Sequence, residues 1–228
     1  MKNNFNSRYE TRQGEFQITR YLSLTEADNA NYFDLALKIC IFADESYFIA
    51  MNQSTIELLT LLHEKRPVKV LFVCLGNICR SPAAEGVLKQ IVEEHNDSAD
   101  WVIDSAGTGN YHVGDLPDHR MRVHARQRGL ILDHRCRQVK ELDFDRYDII
   151  IGMDNSNLSN LRRLAPTPDA EKKIVAMSEF FGTDSRRHYD YVPDPYYEGW
   201  EGFELVLDLL QDACLNLYND ITTNNITR

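Results

Sequence analysis

No stretch of this chain is apolar for long enough to cross a bilayer, and its opening residues, Met1-Lys2-Asn3-Asn4, lack the apolar core of a secretory signal. The 228 residues hold only five cysteines (Cys40, Cys74, Cys79, Cys136 and Cys214), an odd and scattered set that supplies no disulfide framework. That usage suits a reducing compartment, so a cytoplasmic protein is expected. Positive charge is scarce as well. With 25 Lys and Arg against 35 Asp and Glu, the net charge is −10, which argues against general nucleic-acid binding but leaves room for one local cationic pocket. There is no His-Glu-x-x-His, and no second cysteine pair follows Cys74 and Cys79, so zinc is a poor fit. A Walker loop is missing too, for want of a second glycine followed by Lys and Ser or Thr. No metal and no other cofactor is implied, and a chelator should leave activity intact. What remains, 43% hydrophobic and 26% charged, is an ordinary globular composition, long enough for one large domain or two small ones.

The chain is organised around Cys74-Leu75-Gly76-Asn77-Ile78-Cys79-Arg80-Ser81-Pro82. Pro67 to Val73 before it is a short β-branched apolar run that reads as a buried strand. After it, Ala83, Ala84, Val87, Leu88, Ile91 and Val92 recur at helical spacing up to Glu94. Pro82 suits a first helical turn, where the missing amide costs nothing. A strand, a tight loop and a helix N-terminus make an anion site from backbone N–H groups and the positive end of the helix dipole. The same field favours the thiolate, the form of cysteine that attacks. Arg80 brings a planar fork for two oxygens of a phosphoryl group. A lone strand-end cysteine is ordinarily a small core residue. With five residues between it and an arginine, and with Gly76 and Asn77 available for unusual backbone angles, it reads as a phosphoryl-transfer nucleophile.

Residues 1 to 14 are polar and without periodicity. Phe16–Leu22, Phe33–Phe42 and Tyr47–Met51 read as three strands, although a helix over 25–40 fits nearly as well. Ser54-Thr55-Ile56-Glu57 matches a capping box ahead of a helix carrying Leu58, Leu59, Leu61 and Leu62. Residues 1–66 are therefore expected to form a small α+β extension. Its role is structural or, alternatively, dimerising, targeting or regulatory. From Pro67 strands and helices alternate. Strands are expected at Trp101–Gly107, Tyr147–Met153 and Lys173–Met177, with helices at Leu116–Arg128, Asp154–Leu164 and Phe203–Leu217. A long loop leads to Asp194. This rhythm predicts a parallel sheet covered on both faces, with the site outside the strands' carboxyl ends, where Cys74 falls.

The Cys74–Pro82 loop resembles the phosphate loop of the low-molecular-weight protein tyrosine phosphatases. Asp104-Ser105-Ala106-Gly107-Thr108, His134-Arg135-Cys136-Arg137-Gln138, Met153-Asp154-Asn155-Ser156-Asn157-Leu158 and Asp194-Pro195-Tyr196-Tyr197 resemble the family's other signatures, in order and spacing. The likeness covers residues 67–228 and implies a flavodoxin-like four-stranded parallel sheet of order 2-1-3-4. It implies hydrolysis of phosphotyrosyl proteins or small aryl phosphates through a phosphocysteine at Cys74. Arg80 and the amides of Leu75, Gly76, Asn77, Ile78 and Cys79 would hold the phosphate, and Ser81 would assist the sulfur as leaving group. By local sequence Ser81 would be a plain N-cap, and both roles can coexist. Asp194 would protonate the departing phenolate and then activate water. Without the likeness it would be an Asp-Pro turn. Asn77, Ser105 and His134 would brace the loop, and Leu75, Ile78, Tyr111, Tyr196 and Tyr197 would wall the crevice. Cys79 would pair with Cys74 in a protective, reversible disulfide. His112, His119 and His124 take the default reading of surface or core histidines.

Two rivals share these features. An arsenate reductase of the same fold needs relay cysteines after the third strand, and Ile149 to Leu164 contains none. A non-catalytic phosphoprotein-binding module would not need a full set of catalytic positions, which is present here.

Overall fold

The structure, a computed structural model, describes residues 51–223; the expectations for the segments before Met51 lie outside the described residues. Among the described residues, no helix is long and apolar enough to cross a membrane.

Four strands form one parallel sheet in the order β2-β1-β3-β4: β1 Val68–Cys74, β2 Trp101–Gly107, β3 Ile149–Gly152 and β4 Ile174–Ala176. This is the expected 2-1-3-4 order. β1 is central, and its side chains alternate between two cores. Val68, Val70, Phe72 and Cys74 enter one apolar cluster, while Leu71 and Val73 enter the other. Both faces are covered, which explains why β1 reads as a continuous apolar run rather than an alternating one.

Around the sheet lie α1 Gln53–His63, α2 Arg80–Glu94, α3 His119–Gln127, α4 Asp143–Arg146, α5 Asn155–Leu164, α6 Pro168–Glu171, α7 Thr183–His188 and α8 Trp200–Thr223. The larger core joins α2 and α8 to one face of the sheet; Phe144, Leu161 and Ala170 close the other. Leu59 and Leu62 of α1 are buried in the larger core, so a helix that precedes Pro67 packs into the same body as the sheet.

Several boundaries differ from expectation, each for a local reason. Asn52, not Ser54, caps α1: its Oδ1 accepts the Ser54 amide at 3.1 Å. α3 starts at His119 rather than Leu116, because Asp118 caps it by accepting the Arg120 amide at 2.8 Å. The long segment before Asp194 contains a 3₁₀ turn, Met177–Phe180, and the short helix α7. α8 runs from Trp200 to Thr223, longer at both ends than its apolar stripe suggested.

Candidate active site

The chain leaves β1 toward β2 on one side and returns to β3 on the other, so the crevice beyond the carboxyl end of β1 is the sheet's switch point. Cys74, the last residue of β1, sits there, and α2 begins six residues later at Arg80. Between them the backbone turns over one residue in the left-handed region. That residue is Asn77 (φ 56), and Gly76 has an ordinary negative φ, so the turn does not depend on the glycine. Gly107 supplies the seat beneath: a Cβ there would lie 2.8 Å from the Leu75 carbonyl oxygen and 3.1 Å from the Asn77 nitrogen. Glycine is what lets β2 approach the loop this closely. Thr108 and Gly109 then donate their amides to the carbonyls of Cys74 and Leu75, both at 2.8 Å.

The loop's donors converge on the sulfur. The Asn77 amide lies 3.3 Å from Cys74 Sγ, and the Ser81 hydroxyl lies 3.1 Å from it. The amides of Gly76, Ile78 and Cys79 have no hydrogen-bond partner among the described residues, and unpaired loop amides at a helix start form an anion cup. Ser81 does not cap α2: Cys79 holds the cap position without a side-chain bond, and the Ser81 hydroxyl reaches the sulfur and the Ala106 carbonyl (3.2 Å).

Asn77 braces the loop with every capacity its amide group has. Its Nδ2 donates to Ser81 (2.9 Å) and Ser105 (2.8 Å), and its Oδ1 accepts from the Arg137 amide at 2.9 Å and faces His134 Nε2 at 3.1 Å. His134 Nε2 is therefore a donor. Its other nitrogen faces Glu85 Oε2 at 3.2 Å and Asp104 Oδ1 at 3.5 Å, so both ring nitrogens point at acceptors. Glu85 also accepts from Ser105 at 2.6 Å. Burial alone would push its carboxyl up, but hydrogen bonds with His134, Lys89 and Ser105 outweigh burial and hold it below its ordinary value. The three groups Glu85, Asp104 and His134 lie close enough to suggest a cation site, yet both carboxylates are already engaged, Glu85 by Lys89 and Ser105 and Asp104 by Arg137 and Tyr147.

Arg80 is 3% exposed and stands between two carboxylates: Nη1 is 2.5 Å from Asp154 Oδ2, and Nη2 is 2.6 Å from Asp194 Oδ2. Burial works against its charge, but the neighbouring Cys74 sulfur and the two carboxylates reverse that and push its pKa up. Asp154 also caps α5 through the Asn157 amide at 2.8 Å. Asp194 caps the 3₁₀ turn Pro195–Tyr197, its Oδ1 accepting the Tyr196 amide at 3.2 Å.

Over the loop opens a cavity of about 340 Å³. Cys74, Arg80 and Asp194 meet there, and Leu75, Ile78, Tyr111, Tyr196 and Tyr197 all line it. The structure thus brings together the expected nucleophile, clamp, acid and wall, with Asn77, Ser81, Ser105 and His134 beneath or behind the loop. Cys79 also lines the cavity, and burial followed by the nearby Asp118 carboxylate pushes its thiol up.

Four residues escaped the sequence reading. Asp154 has a signal, an Asp directly before a helix. Glu85 has another, a carboxylate one turn after Ser81 on a helix face otherwise buried. Cys136 lies inside a quoted motif, but nothing in the sequence shows that its thiol donates to the Asn77 carbonyl at 2.8 Å or that burial pushes it up to about 11. His112, read as an ordinary histidine, lines the cavity.

Comparison with known proteins places this geometry. The family described as low molecular weight phosphotyrosine protein phosphatase matches residues 69–226. A low molecular weight phosphotyrosine protein phosphatase of Saccharomyces cerevisiae is 42% identical over 142 residues, 62% of this chain and 87% of the relative. The crystal structure of a protein tyrosine phosphatase from Entamoeba histolytica, with Hepes in its active site, superposes with a TM-score of 0.65 at 43% identity, covering 69% of this chain and 98% of that one. A Drosophila arginine phosphatase shares the fold at 36% identity and a TM-score of 0.62, covering 67% of this chain and 96% of its own. Since the matched span takes in the sheet, the phosphate loop and the Asp194 segment together, the chain belongs to the low molecular weight phosphotyrosine protein phosphatase family.

Proposed function

We propose that the protein hydrolyses phosphotyrosine in proteins, and small aryl phosphates, in two steps through a phosphocysteine on Cys74. The observation that carries the reading is the convergence of the Asn77 amide and the Ser81 hydroxyl on the Cys74 sulfur, under a cavity that Arg80 and Asp194 also line. In the first step the Cys74 thiolate attacks phosphorus. An S–P bond forms as the P–O bond to the aryl group breaks, and Asp194 in its acid form gives its proton to the phenolate. In the second, water attacks the phosphocysteine, the Asp194 carboxylate takes its proton, and the S–P bond breaks to release inorganic phosphate and the thiolate. Loop amides and the Arg80 fork carry the charge on the equatorial oxygens in both steps. An arriving phosphate dianion competes with Asp194 for Arg80. The tyrosine and aliphatic walls suit a flat phenyl ring.

The test is p-nitrophenyl phosphate hydrolysis at mildly acidic pH with the wild type and Cys74→Ser. Turnover should vanish in the variant while phosphate still binds; hydrolysis surviving in Cys74→Ser would overturn the covalent route. The same reading takes Cys79 as a resolving thiol: peroxide converts Cys74 to a sulfenic acid, and Cys79 attacks that sulfur, expelling water and forming a disulfide. Cys79→Ser should then lose the thiol-reversible part of peroxide inactivation. A cytoplasmic location belongs here too, supported by the free, buried state of Cys74, Cys79, Cys136 and Cys214. The residues before Met51, the part of the 1–66 extension that precedes α1, are assigned a self-associating role, tested by comparing the oligomeric state of the full chain with one starting just before Met51.

A further inference from the structure

A second cavity, of about 480 Å³, lies beside Asp104, Arg137, Lys140 and Tyr147, and it is larger than the 340 Å³ cavity over the phosphate loop. Its volume falls within the range of about 300–1,000 Å³ common to small-molecule sites. Its floor is fixed, with one cation held between two carboxylates. Arg137 donates to Asp104 at 2.7 Å and to Asp143 at 2.9 Å, and the Tyr147 hydroxyl donates to Asp104 at 2.5 Å. Its rim is different. Lys140 and Arg146 line it, and among the described residues neither side chain has an ion-pair partner, although the chain as a whole is acidic. Val113 and Leu142, 58% and 52% exposed, supply apolar surface on the same rim. Two cations without ion-pair partners, beside apolar side chains, outnumber the floor's one surplus carboxylate and match an organic anion with a compact apolar group.

No residue lines both cavities, but one short segment of chain runs from the first to the second. Tyr111 and His112 line the cavity over the phosphate loop, and the next residue, Val113, lines the second. Asp104 and Arg137 connect the two from below. Asp104 Oδ1 faces His134, and the Arg137 amide donates to Asn77 Oδ1. We propose that this second cavity binds a small organic anion carrying a short apolar group, a carboxylate or its like, and that its occupation alters substrate affinity through the Tyr111–Val113 segment. The inference goes beyond the phosphatase reading, and its binding half does not depend on turnover.

The probe is hexanoate, titrated into the full chain whose phosphate loop is already filled with orthovanadate, and followed by amide chemical shifts. Saturable shifts are expected at Val113, Lys140 and Leu142, with affinity about tenfold weaker in the Lys140→Ala/Arg146→Ala double variant. Leu142→Asp, which sets a like charge on the rim, should weaken binding as well. Both surface variants should retain wild-type kcat on p-nitrophenyl phosphate without hexanoate, which reports their folding. In kinetics without vanadate, hexanoate should change KM in the wild type and leave the double variant unchanged. No saturable shift with vanadate bound, or equal affinity in the double variant, overturns the site. Binding without any change in KM overturns its effect on the substrate cavity.

Discussion

Arg80 and Asp194, the proposed phosphate clamp and the proposed proton donor, are joined Nη2 to Oδ2 at 2.6 Å. Asp154 holds the other side of the same guanidinium at 2.5 Å, so the fork is aimed before any ligand arrives. Removing Asp194 should therefore have two separable effects. Asp194→Ala should slow aryl phosphate hydrolysis by about 10²–10⁴-fold, most for poor leaving groups. It should also tighten the binding of inorganic phosphate, because Arg80 loses a competitor. Steady-state kinetics across a series of phenols and phosphate inhibition constants read the two effects; an unaltered rate would remove Asp194 from the acid role.

The Ser81 oxygen lies 3.1 Å from the Cys74 sulfur, and when its hydroxyl turns from the Ala106 carbonyl to a departing thiolate, a hydrogen bond to that charged acceptor contributes about 1.5–3 kcal/mol. Ser81→Ala should lower kcat by roughly 10–100-fold. Since the sulfur is the leaving group only in the second step, the loss should fall there. Rapid-quench experiments should find more phosphocysteine at steady state than in the wild type, whereas a uniform loss without accumulation would contradict the role.

Glu85 links pH to stability. Its folded-state pKa is held below the ordinary 4.5, so its contribution is fully present above that value and is lost as pH falls through the lower, folded value. Asp104 is shifted in the same direction: burial is outweighed by bonds from Tyr147 and Arg137. Urea midpoints should fall steeply as pH drops below 4.5, and Glu85→Gln should be less stable at pH 7 and flatter on the acid side. Parallel acid limbs for the two proteins would refute this account.

Leu59 is fully buried in the larger core although it precedes β1 by nine residues. Leu59→Ala should cost about 2–5 kcal/mol, in line with other buried leucines, and should lower the urea midpoint of the catalytic unit itself. A chain that starts at Pro67 should be less stable than one that starts just before Met51. Equal midpoints for those two chains would place α1 outside the folding unit.

The parallel sheet and the phosphate loop were legible because both show in local pattern. β1 is a continuous apolar run bounded by a cysteine and a loop, and the strand–helix rhythm after Pro67 admits few topologies. The 2-1-3-4 order, and the parts of the site far from Cys74 in the chain, Tyr111, Asp194, Tyr196 and Tyr197, were legible only through family likeness. What stayed hidden depends on distant chain segments meeting. Glu85, on α2, gains its role only when Ser105 of β2 and His134 of the segment between α3 and β3 meet it. Asp154 looked like a cap, which it is, while its second oxygen holds Arg80. The membership of α1 in the core was missed because the change of rhythm at Pro67 marks where the sheet starts, and α1 joins the core from outside it.

Asn77 sets a limit on the chemical lifetime of the enzyme. Hydrolysis of that one amide to a carboxylate would replace two donors with an acceptor, turning an oxygen toward the hydroxyls of Ser81 and Ser105. The chain would age into a folded but silent form, with every catalytic side chain still in place. Ile78 crowds the attack of its own nitrogen on the Asn77 side chain, and the braced, left-handed backbone at Asn77 resists the ring closure that such attack requires.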